Sequence, residues 1–317
     1  MDARTLRLVN LSEVLAEEHP EVDEVKHEDL HAFDEGTLKE YYRSGGKQRP
    51  DNPSLEAERW AYWKTDETKP GRIRLFCFHH GGGNISFFRQ WINRNEFPEH
   101  VHVVAVELPG RGLQRQARLF RNMEELVGKL VDALDELLWN KPVVFFGHSL
   151  GALVAFELTR ELRRRKRRLP DHVVVSARAA PHLGLSDLGK PELHAIPNDE
   201  DFVREMQVWY QNPDLSKVVA VPELKDSAIR ILRADMELFE TYVPCPSEPP
   251  LDVPITAYAG EEDAGNAVDA VSEWQAHSSR TFDLRVFSGG HFYWRPDARA
   301  LLHALTQLCE DVLRRGT

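Results

Sequence analysis

Six short apolar runs separated by helical stretches constrain the fold of residues 72–317 more than any other feature of the sequence. Runs rich in β-branched and aromatic residues are typical of strands buried on both faces of a parallel sheet. The alternation of strands and helices predicts a mostly parallel, doubly wound α/β sheet with right-handed crossovers. The runs are "IRLFCF" (73–78), "VHVVAV" (101–106), "VVFF" (143–146), "HVVVSA" (172–177), "ITAYA" (255–259) and "FDLRVF" (282–287).

One long segment interrupts this alternation. Residues 184–245 carry two helical patterns and no strand pattern. In the second pattern, apolar residues recur at heptad-like spacing. A helical insertion between two late strands predicts a lid over a site at the sheet edge. The apolar residues of the second pattern are Ile229, Leu232, Met236, Phe239 and Val243.

The first seventy residues differ from the rest in charge. They hold 17 acidic and 10 basic side chains, so that they carry −7 of the formal net charge of −11. Their apolar content is too small for an independent core. We therefore expect residues 1–70 to form an acidic extension or linker, partly helical or disordered, and residues 71–317 to form the α/β domain.

Composition excludes several function classes. The acidic balance disfavours nucleic-acid binding, which depends on clustered Lys and Arg. The one concentrated basic run, residues 160–170, is interpreted as the solvated end of a helix. Three distant cysteines predict a reducing compartment without a disulfide framework. No apolar stretch approaches the roughly 20 residues of a membrane span, and no secretory signal is visible, so we expect a cytoplasmic protein.

The stretch "GHSLG" at residues 147–151 supplies the first candidate for chemistry. Its GxSxG pattern follows an apolar strand and precedes the helical stretch "LGALVAFELTREL". This strand–turn–helix setting is the one that a nucleophile elbow requires. The alternative is an ordinary turn with a serine that caps the helix. The setting favours Ser149 as a nucleophile.

A serine nucleophile needs a histidine base that is oriented by a carboxylate, and in this fold the chain order is Ser, acid, His. Among 14 histidines, His291 stands just past the last predicted strand, in "SGGHFYW". The acid is sought after the run at 255–259, where three acidic residues follow one another. We favour Asp263, at the end of that turn, and Glu262 stays open.

The tetrahedral intermediate of such a reaction also needs two backbone donors. One is expected to be the amide of Leu150, the residue after the nucleophile, and the other an amide of an early loop. That loop is "HHGGGN", in which Gly81 to Gly83 let the backbone approach the site. It does not match a dinucleotide-binding GxGxxG, and the adjacent His79 and His80 make a poor metal pair. No metal and no protein-bound cofactor are predicted.

Six motifs in order resemble those of the type II thioesterases, the stand-alone editing partners of polyketide and nonribosomal peptide synthetases in the α/β-hydrolase superfamily. The resemblance covers Arg72 to the C-terminus. The motifs are "CFHHGGGNISFF", "VELPGRG", "GHSLGALVAFEL", "LRADMELFETY", "PITAYAGEED" and "SGGHFYW".

The resemblance implies an α/β-hydrolase fold with a helical lid over the acyl site. Ser149 would be the nucleophile, His291 the base and Asp263 the orienting acid. The amides of Gly81 and Leu150 would form the oxyanion hole. The implied substrate is an acyl group on the phosphopantetheine arm of an acyl or peptidyl carrier protein, which would be the partner.

Three alternatives remain at this stage. The chain could be a C-terminal offloading domain of a megasynthase. It could be a medium-chain fatty-acyl or acyl-CoA thioesterase, or an esterase. It could also be a non-catalytic binding protein with a hydrolase fold, which an intact set of Ser149, Asp263 and His291 disfavours.

Overall fold

The fold was obtained as a computed structural model, which describes Leu15 and residues 55–63, 71–138, 141–245, 247–295 and 297–315. The chain forms two compact units, Met1–Arg59 and Trp60–Thr317. In the first unit the expected acidic extension falls on residues outside the described ones, except for Leu15 and residues 55–59. The second unit contains the whole sheet.

Seven strands form one sheet in the order β1-β3-β2-β4-β5-β6-β7. All neighbouring pairs are parallel except β1 and β3, which confirms the predicted mostly parallel α/β architecture. The strands are β1 (Ala61–Tyr62), β2 (Ile73–Phe78), β3 (Val101–Val106), β4 (Val143–His148), β5 (His172–Ser176), β6 (Ile255–Gly260) and β7 (Phe282–Phe287).

Five of the six predicted runs match the strands to within one residue, and the sixth, β4, is longer than expected. It continues through Gly147 and His148, which still pair with β5. The short strand β1 was not predicted, because two residues carry no periodicity. It extends the sheet into the segment that the sequence assigned to the extension, and the Glu107 amide donates to the Trp60 carbonyl at 2.7 Å beside it.

Helices flank the sheet within the second unit and form the insertion. Within the described residues, no helix is both long and apolar enough to cross a membrane. The helices are α1 (Leu55–Trp60), α2 (Ser86–Asn93), α3 (Met123–Leu134), α4 (Leu150–Arg164), α5 (Asp199–Tyr210), α6 (Leu215–Val219), α7 (Pro222–Glu240), α8 (Val268–Ser272) and α9 (Arg299–Arg315).

The middle of the sheet is buried and its last strand is not. Every residue of β2, β4, β5 and β6 is buried, whereas residues of the edge strand β7 are intermediate or exposed. Parallel strands place their carboxyl ends at one edge, which is where sites form in open α/β sheets. The loops after β4, β6 and β7 therefore lie on the same side of the sheet, at its carboxyl end.

The predicted lid segment lies between β5 and β6 and contains α5, α6 and α7, with no strand among its described residues. Three helices replace the two that the pattern indicated, because α6 is too short to show a period. The heptad residues on α7 are buried as expected. Val243 is the exception, since α7 ends at Glu240 and Val243 is 81% exposed.

Candidate active site

Ser149 lies on a strained turn between β4 and α4. Its φ of 56° and ψ of −115° are unusual for a residue with a side chain. The two glycines around it have no room for a Cβ atom. A Cβ on Gly147 would lie 2.0 Å from the Gly151 carbonyl oxygen, and one on Gly151 would lie 2.1 Å from the Phe78 carbonyl oxygen. This is the geometry of a nucleophile elbow, and the GxSxG spacing follows from it.

His291 and Asp263 contact each other directly. The His291 Nδ1 atom lies 2.8 Å from the Asp263 Oδ2 atom, and their side chains are 3% and 1% exposed. The His291 ring centroid lies 5.2 Å from that of His148, the residue before Ser149. The structure thus places the candidate base and acid together, beside the strand end that leads into Ser149.

In the acidic loop after β6, the carboxylates between which the sequence left a choice differ in burial. Asp263 is buried and faces His291, whereas Glu261 and Glu262 are exposed. The Glu262 amide donates to the Gly289 carbonyl at 2.9 Å, which ties this loop to the loop that carries His291. Asp263, not Glu262, contacts the histidine.

Asn266 belongs to this cluster and was not found by sequence reasoning. Its Nδ2 atom lies 3.3 Å from Asp263 Oδ2 and 3.3 Å from His291 Nδ1. Its backbone amide and that of Gly265 donate to Asp263 Oδ1 at 3.1 and 3.0 Å. An Asp with a Gly and an Asn two and three residues later is typical of an Asx turn, so the signal was present in "DAGN". The turn fixes both carboxylate oxygens of Asp263.

Lys190 continues the polar network behind the acid. Its Nζ atom donates to Asn266 Oδ1 at 3.4 Å. Burial, together with the nearby Arg178 guanidinium, lowers the pKa of the Lys190 ammonium to about 7. The Ala179 amide also donates to Asn266 Oδ1, at 3.0 Å. Asn266 is therefore held from the side opposite the carboxylate.

Neutral aromatic rings surround the elbow. Burial lowers the pKa of His80 to about 3 and holds the pKa of His148 well below its usual value. His148 Nδ1 lies 2.9 Å from Ser176 Oγ, which in turn lies 2.7 Å from the Tyr293 hydroxyl. Both imidazoles are therefore uncharged near neutral pH, and they pack beside the site as neutral rings.

The glycine loop after β2, residues 81–83, has one backbone amide that donates no hydrogen bond to a described residue, called the unused amide below. The two amides that follow it do donate hydrogen bonds. The Gly82 amide donates to Asp235 Oδ2 at 2.7 Å, and the Gly83 amide donates to the His80 carbonyl at 3.0 Å. Neither the Gly81 amide nor the Leu150 amide donates to another residue in the described part of the chain. Leu150 is the first residue of α4, where amides carry the positive end of the helix dipole. These two amides have the chemistry of oxyanion donors.

A cleft of about 660 Å³ extends from this loop beneath the lid. Its lining is apolar near α2, α6 and α7, with Phe87, Trp91, Val218 and Leu232. Polar and charged residues add to the lining: Asn84, Gln90, Asn212, Asp214, Lys217 and Arg295. Ser149 and His291 do not line the cleft, which adjoins the site through residues 80–83. A long substrate could occupy it.

A family model and several known proteins match most of this chain. A family model for the thioesterase domain matches residues 73–313. The gramicidin S biosynthesis protein GrsT of Aneurinibacillus migulanus is 31% identical over 222 residues, 70% of this chain and 83% of GrsT. Thioesterase PikA5 of Streptomyces venezuelae is 35% identical over 221 residues, 70% of this chain and 75% of PikA5. RedJ, a thioesterase of prodiginine biosynthesis in Streptomyces coelicolor, superposes with a TM-score of 0.67 at 33% identity over 75% of this chain and 85% of RedJ.

Proposed function

This chain belongs to the thioesterase family, and we propose that it uses Ser149, His291 and Asp263 to hydrolyse acyl thioesters on carrier proteins. The observation that carries the proposal is the buried 2.8 Å contact of His291 with Asp263, beside the strained turn of Ser149. A serine hydroxyl is a weak nucleophile unless a positioned base takes its proton. The cluster provides such a base and holds it in one orientation.

In the proposed first half-reaction, His291 takes the proton of Ser149 Oγ as this oxygen attacks the thioester carbonyl carbon. The Gly81 and Leu150 amides donate to the oxyanion that forms. The C–S bond then breaks, and the leaving sulfur receives the proton from His291. The products are the free thiol of the carrier arm and an acyl ester on Ser149.

In the second half-reaction, water attacks the acyl ester while His291 takes a proton from it. Collapse of the second tetrahedral intermediate returns this proton to Ser149 Oγ and releases the free acid. Asp263 accepts a hydrogen bond from His291 Nδ1 and stabilises the imidazolium in both halves. The reaction needs no metal or cofactor of the protein's own.

The proposed substrates are acyl groups on the phosphopantetheine arm of acyl or peptidyl carrier proteins, which would be the partners. This proposal is supported by two relatives: GrsT is a gramicidin S biosynthesis protein, and RedJ is a thioesterase of prodiginine biosynthesis. A cleft of about 660 Å³ beside the Gly81 amide suits a long flexible substrate. We propose that the reaction takes place in the cytoplasm, because three distant cysteines without a disulfide framework are typical of a reducing compartment.

Replacement of the nucleophile tests the proposal. We expect Ser149→Ala to lower kcat/KM on an acyl-pantetheine thioester by at least about 1,000-fold, since the residual rate comes from the remaining site alone. Circular dichroism and the Tm show whether the fold is retained. Ser272→Ala on α8, whose hydroxyl donates to the Asp269 carbonyl, is the matched control and keeps full activity. Undiminished turnover by Ser149→Ala would reject the assignment.

A substrate panel tests the partner. The same acyl group is presented on a carrier protein, on coenzyme A, and as an oxyester. We expect kcat/KM to be highest on the carrier protein. A higher value on coenzyme A would favour a free acyl-CoA thioesterase, and a higher value on the oxyester would favour an esterase.

A further inference from the structure

A buried ion pair joins the glycine loop region to the lid. Arg111 lies in the loop after β3, and Asp235 lies on α7. The Arg111 guanidinium donates to both carboxylate oxygens of Asp235, at 2.6 and 2.7 Å. The two side chains are 4% and 2% exposed. The pair thus lies in the interior, with the fork geometry of a strong charge-assisted contact.

The same two side chains also hold the backbone of the glycine loop. Asp235 Oδ2 accepts the Gly82 amide at 2.7 Å, and Arg111 Nη1 donates to the Gly83 carbonyl at 3.3 Å. A Cβ atom on Gly81 would lie 3.7 Å from Asp235 Cβ, so α7 abuts the loop. One ion pair therefore restrains the peptide groups that directly follow the unused amide of Gly81.

Three glycines in series have no side chains to fix their own dihedral angles, so the loop needs restraint from outside. A buried ion pair is a costly way to stabilise a fold, because both charges lose hydration. Hydrophobic residues of similar volume would serve the packing of α7 as well. What they could not supply is an acceptor for the Gly82 amide together with a donor to the Gly83 carbonyl.

We propose that Asp235 is a positioning residue, which through Gly82 and Arg111 directs the Gly81 amide toward the oxygen of the reacting carbonyl. This inference rests on the proposed function, in which the Gly81 amide is an oxyanion donor. The lid helix α7 then has a part in the chemistry besides covering the site. Loss of the carboxylate should weaken stabilisation of the tetrahedral state while substrate binding is largely kept.

The test compares Asp235→Asn with the wild type in two reactions. Thioester hydrolysis gives kcat and KM. Labelling with a fluorophosphonate gives the rate at which Ser149 Oγ attacks phosphorus and displaces fluoride, with its proton passing to His291. The labelling step needs the nucleophile and the oxyanion donors but no thioester. Removal of one oxyanion donor lowers kcat about 100- to 1,000-fold, and displacement of a donor should cost less.

We expect Asp235→Asn to lower kcat about 10- to 100-fold with KM changed less than about threefold, and to lower the labelling rate by a similar factor. Glu240→Gln is the matched control. Glu240 lies one and a half turns further along α7 and is also buried, but it accepts the amides of Leu193 and His194 at 3.0 and 2.9 Å instead of a glycine-loop amide. Both of its rates should stay within about twofold of the wild type.

Two results would overturn the inference. One is a lower Tm for Asp235→Asn with both rates unchanged at temperatures where it is folded. The other is an equal loss of both rates in Glu240→Gln. If Asp235→Asn does not fold, Arg111→Lys decides instead, because it keeps the charge but loses the fork; unchanged rates in that variant would also overturn the inference. A wild type that is labelled but hydrolyses no thioester would reject the proposed function. In that case the labelling rates of the variants would still test the positioning role of Asp235.

Discussion

The carboxyl edge of the sheet and the lid segment, residues 184–245, differ in how tightly their backbone is packed. At the edge, Cβ atoms on Gly147, Gly151 and Gly260 would lie 2.0 to 2.3 Å from carbonyl oxygens. In the lid segment, Gly184 and Gly189 have no such neighbour within 3.4 Å. Large apolar side chains are also exposed there, including Val208 and Leu224. We therefore propose that the edge fixes the geometry of the reaction and that the lid selects which acyl groups enter the site.

Among the variants that compare these two regions, the largest effect should come from adding one methyl group at the edge. We expect Gly151→Ala to lower kcat/KM at least about 100-fold and to lower the Tm, because its Cβ would overlap the Phe78 carbonyl and displace the elbow. Gly184→Ala in the lid segment is the matched control, since its Cβ would meet no atom closer than 3.5 Å. Comparable losses in both variants would remove the contrast between the two regions.

A smaller effect is expected from Asn266, the buried asparagine beside Asp263 and His291. Asn266→Ala removes the amide that contacts Asp263 and His291, so we expect kcat to fall about tenfold as the acid becomes less well oriented. Asn198→Ala is the control in the lid segment. The Asn198 side chain caps α5 by accepting two amides, so its loss should cost about 1 kcal/mol of stability without changing kcat. An unchanged kcat in Asn266→Ala would exclude the positioning role.

Enlarging a lid residue should alter selectivity instead of rate. Val218 on α6 lines the cleft, and Val218→Phe should shorten the acyl chain that is accepted, changing the ratio of kcat/KM between long and short acyl-pantetheines about 10-fold. Hydrolysis rates on a series of acyl-pantetheine thioesters of increasing chain length measure this ratio. Val208→Phe, on an exposed position of α5, should leave it unchanged. A fall in kcat for every chain length would show that the lid affects chemistry more broadly.

The smallest effect is expected at the basic run that ends α4. Its arginines are engaged within the chain: Arg160 with Glu157, Arg163 with Glu248, Arg164 with Glu161, Arg165 with Asp132 and Arg168 with Asp171. Arg165→Gln should change kcat/KM on a carrier-bound substrate less than about twofold, since partly exposed pairs contribute little. A tenfold rise in KM on the carrier protein, but not on acyl-pantetheine, would instead assign this surface to carrier docking.

Local sequence patterns were sufficient for most of the sheet and for part of the site. The strands could be predicted from the sequence because buried strands need consecutive apolar residues. Ser149 was visible because its turn requires glycines two residues away on both sides. His291 was visible through its place after the last strand, where Gly289 has a φ of 112°. Each of these signals lies within about ten residues of the feature that it predicts.

The rest depended on contacts between distant parts of the chain. Asp263 and Glu262 have nearly the same local context, and only the packing of the loops after β6 and β7 turns one toward His291 and the other to solvent. β1 became a strand because the end of β3 was there to pair with it. Arg111 and Asp235 are 124 residues apart, and no pattern in either segment indicates the other.

The sequence by itself determined the α/β fold, the elbow of Ser149 and the loop of His291, because backbone strain and burial restrict which residues can stand there. Only the tertiary structure decided which carboxylate meets His291, how Asn266 holds it, and how α7 reaches the glycine loop. Those arrangements depend on directional contacts of a few ångströms between separate elements, and the chain forms them only when the sheet and the lid have packed.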